Sequence, residues 1–159
     1  MSKIEELGDL IRDRRACVAV IGLGYVGLPL VLAAHAAGFD VIGFDSDSEK
    51  ISRLDAGESY IRHIGSEAIS DLAHSGRFAA TADMSRLSEA DIVLICVPTP
   101  LTVNREPEMR YVELTSQAIG ASLRAGQLVI LESTTYPGTT EDLVKPVLEA
   151  GGLKSGTDF

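Results

Sequence analysis

The segment Cys17-Val18-Ala19-Val20-Ile21 is apolar without alternation. Gly22-Leu23-Gly24-Tyr25-Val26-Gly27 follows at once, and then a Leu- and Ala-rich stretch, Val26 to Ala37, closed by Gly38. Few architectures accept that order. A strand with no polar face has to be covered on both sides, as in a parallel sheet. Parallel strands need a crossover, and the composition after the glycines is that of a helix. Gly38 suits the C-terminal end of such a helix, where the backbone turns left-handed.

The alternation continues. Val41 to Phe44 reads as a second strand, and Ser46-Asp47-Ser48-Glu49 has capping-box spacing for a helix running to about Leu54. Residues 66 to 75 read as a helix with Ser66 at its cap. Phe78 to Thr81 is a third strand and Ile92 to Val97 a fourth. Pro98 to Pro107 holds three prolines and excludes regular structure. Tyr111 to Leu123 is helical, Leu128 to Leu131 is a fifth strand, and Thr139 with Asp142 caps a last helix to about Ala150. Residues 4 to 14, with Ile4, Leu7 and Ile11 at helical spacing, add an N-terminal helix. The expectation is an α/β protein of Rossmann type: a doubly wound, mostly parallel sheet with helices on both faces. Its 159 residues suit one domain, 1–159, and the final Gly156-Thr157-Asp158-Phe159 falls where a further strand is expected to begin.

Each glycine of the loop has a physical task. Gly22 allows the tight turn, Gly24 lets a pyrophosphate approach the backbone, and Gly27 lets helix pack on strand. The helix N-terminus offers free N–H groups and a partial positive charge. Asp45 ends the second strand, 18 residues after Gly27, where a carboxylate accepts hydrogen bonds from an adenine ribose. The bland alternative is a glycine-rich turn and a solvated aspartate; the agreement of strand, turn, helix and carboxylate favours NAD. A 2′-phosphate would meet Asp45 and Asp47 with no arginine beside them, so NADP is expected to be repelled. Lys50, one turn further on, either reaches the ribose hydroxyls or is a solvated surface lysine.

Fourteen basic against 23 acidic residues give a net charge of −9, which disfavours nucleic acid and anionic membranes as partners. No apolar run approaches the roughly 20 residues that span a bilayer. The start, Met1-Ser2-Lys3-Ile4-Glu5-Glu6, carries acids where a signal peptide carries bases, so a cytoplasmic location is expected. Cys17 and Cys96 form no metal-ligand pattern and read as buried small hydrophobes. His35 and His74 read as structural or solvated. His63, in Tyr60-Ile61-Arg62-His63-Ile64, is either another such residue or approaches the cofactor or substrate.

Four stretches together resemble one family. They are Val20-Ile21-Gly22-Leu23-Gly24-Tyr25-Val26-Gly27-Leu28-Pro29, Gly43-Phe44-Asp45, Cys96-Val97-Pro98-Thr99-Pro100, and Glu132-Ser133-Thr134-Thr135-Tyr136-Pro137-Gly138-Thr139-Thr140. The chain resembles the N-terminal NAD-binding domain of the UDP-glucose/GDP-mannose dehydrogenases. The N-terminal helix, Tyr60 to Ile64 and Glu132 to Thr140 resemble most the UDP-N-acetylglucosamine and UDP-N-acetylgalactosamine 6-dehydrogenases. The resemblance implies oxidation of a UDP-sugar C6 alcohol to the uronate in two NAD-dependent steps through a cysteine thiohemiacetal and thioester. It implies that the family's catalytic cysteine, lysine and asparagine lie in a substrate domain beyond these residues, so that the chain alone is inactive. It also implies a homo-oligomer built on a helix absent here.

Carried over by position, Gly22, Gly24, Tyr25, Val26 and Gly27 belong to the pyrophosphate loop. Val97, Pro98 and Thr99 pass the nicotinamide-side ribose, and Thr134 is an accessory catalytic residue near the nicotinamide that can hold a water. From the residues alone, Thr134 is equally a turn or cap hydroxyl. Glu132 either touches the active site or braces its loop. Two other functions compete: a free-standing NAD-binding sensor or scaffold, and a 6-phosphogluconate-type or 3-hydroxy acid dehydrogenase. The Val-Pro-Thr-Pro and Ser-Thr-Thr-Tyr-Pro-Gly loops argue against both.

Overall fold

The computed structural model describes residues 2–159. Five parallel strands, β1 (Cys17–Ile21), β2 (Asp40–Phe44), β3 (Phe78–Thr81), β4 (Ile92–Ile95) and β5 (Leu128–Leu131), form one sheet in the order β3-β2-β1-β4-β5. Six helices accompany them: α1 (Lys3–Arg12), α2 (Gly27–Ala36), α3 (Ser48–Asp55), α4 (Ser66–His74), α5 (Arg110–Ser122) and α6 (Lys145–Glu149). Chain order reverses direction beside β1, which makes the β1/β4 boundary a topological switch point. Ligands of open α/β sheets bind in the crevice outside the strands' carboxyl ends at such a point.

Successive residues of β1 point to opposite faces, and both faces are covered. Val18 and Val20 pack with Leu28 and Val31 of α2, Leu54 of α3 and Ile69 and Leu72 of α4. Ala19 and Ile21 pack with Phe44, with Val112 and Ile119 of α5 and with Leu148 of α6. This is why β1 carries no polar residue. Each such Val, Leu, Ile or Phe side chain contributes about 1.5–3 kcal/mol by leaving water.

The expected elements are present, with local differences. α1 carries a capping box, Ser2 with Glu5. The cap of α3 is Asp47, whose carboxylate accepts from Glu49 N; Ser46 lies one position too early. Asp and Ser both cap well, so spacing alone chose wrongly. Gly65 rather than Ser66 caps α4, and the Ser66 hydroxyl is drawn instead to Ser59 N at 3.1 Å. Thr139 donates its hydroxyl back to Tyr136 O at 2.8 Å and caps no helix N–H. The last helical stretch opens as a wide π turn, Thr140–Val144, before α6. β4 ends at Ile95, two residues short of Val97, where the backbone turns away to line a cleft. A 3-10 helix, Met84–Glu89, connects β3 to β4, and no periodicity announced it. Among the described residues no helix is long and apolar enough to cross a membrane.

Candidate functional site

Register fixes the level at which the loops leave the sheet. Ile21 pairs with Phe44 and with Ile95, and Ile95 with Leu131, so four strands end side by side. Above them lies a cleft of about 830 Å³. The structure brings to it Gly22, Gly24, Tyr25, Val26, Asp45, Lys50, Val97, Pro98, Thr99, Glu132 and Thr134. Leu23, fully buried, and Gly27 lie beneath the cleft rather than along it, and at Gly27 a Cβ would stand 1.7 Å from Gly22 O. The role of Gly27 is the close packing of helix on strand expected for it.

Gly22 has φ +94°, and a Cβ on it would meet Cys96 O at 2.5 Å. Only glycine serves where a left-handed turn passes against the neighbouring strand's exit. At Gly24 a Cβ would meet nothing within 4 Å. The space is open on the cleft side, as a phosphate approaching the backbone requires. The N-terminus of α2 has no side-chain cap; within it Leu28 N–H is taken by Gly24 O at 3.1 Å and Pro29 has none, so the positive end of the dipole acts through the backbone of the Gly24, Tyr25 and Val26 turn that lines the cleft. These residues fit a dinucleotide.

Asp45 is held rather than solvated. One carboxylate oxygen accepts from Leu23 N at 2.9 Å and from Lys50 Nζ at 3.1 Å, and the other from Asp47 N at 3.0 Å. Burial pushes its pKa up, but the hydrogen bonds from Asp47 and Leu23 and the Lys50 ammonium outweigh it, so the carboxyl sits below its usual range. A carboxylate offers about four acceptor positions, so with three taken one remains for a ribose hydroxyl. Lys50 pairs with Asp45 at 3.1 Å and lines the cleft wall beside it.

Ser133, read from sequence only as part of a loop, fastens the far wall. Its hydroxyl donates to Val97 O at 2.8 Å, and its N–H and that of Glu132 bond Ile95 O at 3.1 and 2.9 Å. The exits of β4 and β5 are thereby one unit. Sequence reasoning also missed Tyr111, Leu114 and Thr115 of α5, and Ala82 and Met84 after β3, which complete the cleft. No local motif marks them, because they reach it through tertiary packing.

His63 is outside the lining but stacks on Tyr25, with ring centroids 6.1 Å apart and planes at 22°. His74 bonds Ser70 O within its own helix. His35 lies on α2; burial, then Arg77, lowers its pKa, and its Nε2 is buried without a partner among the described residues. The Cys96 thiol is pushed up to about 11, by burial first and then by the Glu132 charge. The Cys17 thiol rises to about 11 through burial and the charges of Asp91, Asp40 and Glu89, at the opposite edge of the sheet. Both stay protonated near neutral pH, and thiols are poor nucleophiles in that state.

The family model for the NAD-binding domain of UDP-glucose/GDP-mannose dehydrogenases matches residues 16–159. The chain is 34% identical over 143 residues to a UDP-N-acetyl-D-mannosamine dehydrogenase of Pyrococcus horikoshii, covering 89% of this chain and 34% of that one. It is 35% identical to a UDP-N-acetyl-D-glucosamine 6-dehydrogenase of Pseudomonas aeruginosa, over 89% of this chain and 33% of the relative. Among solved structures, the NDP-N-acetyl-D-galactosaminuronic acid dehydrogenase of Methanosarcina mazei superposes with TM-score 0.87 at 38% identity, covering all of this chain and 36% of that one. The chain thus spans about a third of the length of the relatives it matches. A 3-hydroxybutyryl-CoA dehydrogenase of Escherichia coli, at 16% identity and TM-score 0.57, shares the fold alone.

Proposed function

The chain belongs to the UDP-glucose/GDP-mannose dehydrogenase family, whose NAD-binding domain it matches, and from that premise we propose that it is the cofactor domain of a UDP-N-acetylhexosamine 6-dehydrogenase. NAD, once bound, supplies a hydride acceptor. The chain's own residues bind and orient it. The loop N–H groups of Gly24, Tyr25 and Val26 and the uncapped α2 terminus hold the pyrophosphate. Asp45 accepts from the adenine ribose, with Lys50 steadying its charge. Val97, Pro98 and Thr99 flank the second ribose, and Thr134 offers a hydroxyl to a water beside the reacting carbon.

The observation that carries this reading is the pairing of an open Gly24 backbone with an anchored Asp45 across one cleft. Titration of NAD and NADP at fixed ionic strength tests it. NAD binds more tightly, because a 2′-phosphate meets Asp45 and Asp47. Equal affinities or tighter NADP overturn it.

The sugar chemistry draws on residues outside these 159. With both thiols held protonated, and Cys17 on the wrong edge, neither cysteine suits thioester chemistry. The expected result is NAD binding without NADH formation when the chain is given UDP-N-acetylglucosamine or UDP-N-acetylgalactosamine, and turnover by the complete gene product. Turnover by these 159 residues alone refutes this division. The complete protein is expected to be a homo-oligomer and cytoplasmic, in keeping with its small, water-borne ligands.

A further inference from the structure

We propose that the segment between α3 and α4 is a strap that positions the dinucleotide loop, with Tyr60 and His63 as its two fastening points. The proposal rests on the NAD-binding reading above and adds to it residues that do not line the cleft.

Leu23 lies between Gly22 and Gly24, the two glycines that give the loop its freedom. Both polar groups of this residue are taken. Its N–H donates to Asp45 at 2.9 Å, and its carbonyl accepts the Tyr60 hydroxyl at 2.7 Å. The Tyr60 ring is held in turn: Lys50 Nζ lies 6.0 Å and the Arg53 guanidinium 5.9 Å from its centroid. Lys50 also pairs with Asp45, so Leu23, Asp45, Lys50 and Tyr60 form a closed circuit. Burial, with Asp45 and Asp47 nearby, raises the Tyr60 pKa, and the phenol remains a donor. On the other side of Gly24, Tyr25 is 74% exposed, and its ring stacks on His63. The segment itself is fixed by Arg53 donating to Ser59 O and by Ser59 N donating to Ser66 Oγ.

A loop with three glycines loses much conformational entropy when it closes on a ligand. Holding it on both sides of Gly24 before the ligand arrives reduces that loss, and the gain appears as affinity. His63 acts here through the face of its ring, not through charge.

The test is titration of NAD, and of adenosine as a competitor lacking the pyrophosphate, against the wild-type chain, Tyr60→Phe, His63→Ala and His63→Phe. Tyr60→Phe keeps the ring and removes the donor. It is expected to weaken NAD about 3- to 10-fold, the size of one ordinary hydrogen bond. His63→Ala weakens NAD about 3-fold, and His63→Phe restores it to within about 2-fold. Adenosine affinity stays unchanged in all three. Failure of the Phe rescue, with wild-type affinity rising on acidification, overturns the strap in favour of a phosphate-facing cation. Equal loss of adenosine in Tyr60→Phe overturns it in favour of damage at Asp45. A wild-type chain that binds no NAD overturns the NAD reading and the strap together. Normal NAD binding by both Tyr60→Phe and His63→Ala overturns the strap alone.

Discussion

The two edges of the sheet treat the same problem in opposite ways. At the amino edge the strand ends are saturated by side chains of this chain. Asp91 accepts from Cys17 N at 2.9 Å and from Arg124 at 2.7 Å, while Arg124 also donates to Ala90 O and Ser88 O. Gln127, 3% exposed, donates to Leu87 O and Ala90 O and accepts from Arg124 N. At the carboxyl edge the loops leave an uncapped helix terminus and a glycine facing open space. Polar groups that cannot all be satisfied internally are tolerable only where water or a ligand meets them. Stability is therefore built into one edge and binding capacity into the other.

The largest effects should come from the glycines, and they should separate the two properties. Gly24→Val places its side chain in empty space, at a position whose φ is not left-handed. The fold should survive with an unchanged circular dichroism spectrum while NAD affinity falls more than about 100-fold, since the side chain takes the phosphates' place. Retained binding would show that this loop does not carry the pyrophosphate. Gly27→Ala, by contrast, drives a methyl against Gly22 O and should cost both affinity and more than about 2 kcal/mol of stability in urea unfolding.

Next come one polar residue from each edge. Gln127→Ala leaves Arg124 N–H without its partner and takes one of two donors from Leu87 O and from Ala90 O, which keep Ala90 N–H and Arg124, and should destabilise the chain by about 1–3 kcal/mol. NAD affinity, corrected for the folded fraction, should not change. Asp45→Ala should do the reverse: NAD binding weakens by about 1–3 kcal/mol, and the preference over NADP narrows. If Gln127→Ala altered the intrinsic NAD affinity, the separation of the edges would not hold.

The sequence exposes these edges unequally. The carboxyl edge was readable because its chemistry is local: three glycines at fixed spacing must follow a strand and open a helix, and Asp45 must end the next strand. All five strands were readable because a parallel sheet requires apolar runs. The amino edge was silent. Gln127 and Arg124 are ordinary polar residues until they fold against carbonyls 34 to 40 positions away. The same limit hid Tyr111, Leu114 and Met84, whose place on the cleft depends on how α5 and the 3-10 helix pack. Caps failed for another reason. In Ser46-Asp47-Ser48 three neighbours could cap equally well, and only the turn after Asp45, whose carboxylate takes Asp47 N, selects among them.

The smallest expected effect is one of pH, and it concerns the device that recurs at both edges, a carboxylate tied to backbone N–H groups, Asp91 at one and Asp45 at the other. Burial opposes ionisation of Asp45, yet its hydrogen bonds from Asp47, Leu23 and Lys50 leave its pKa below the usual 3.8. The sign follows by linkage. Where the folded pKa is lower, the unfolded chain takes up the proton first, so acidification favours unfolding. The stabilisation is complete above about pH 4 and is lost as pH falls through the lower, folded value. Asn at this position keeps the shape and an acceptor oxygen but has no charge to lose. Wild type and Asp45→Asn should therefore differ by about 1 kcal/mol or less at pH 7, with wild type the more stable, and the difference should shrink below pH 4. Urea unfolding of both proteins at pH 7, 5 and 3.5 measures it. A gap that widened on acidification would mean that Asp45 is strained in its ionised form, held there for the ligand at the expense of the fold.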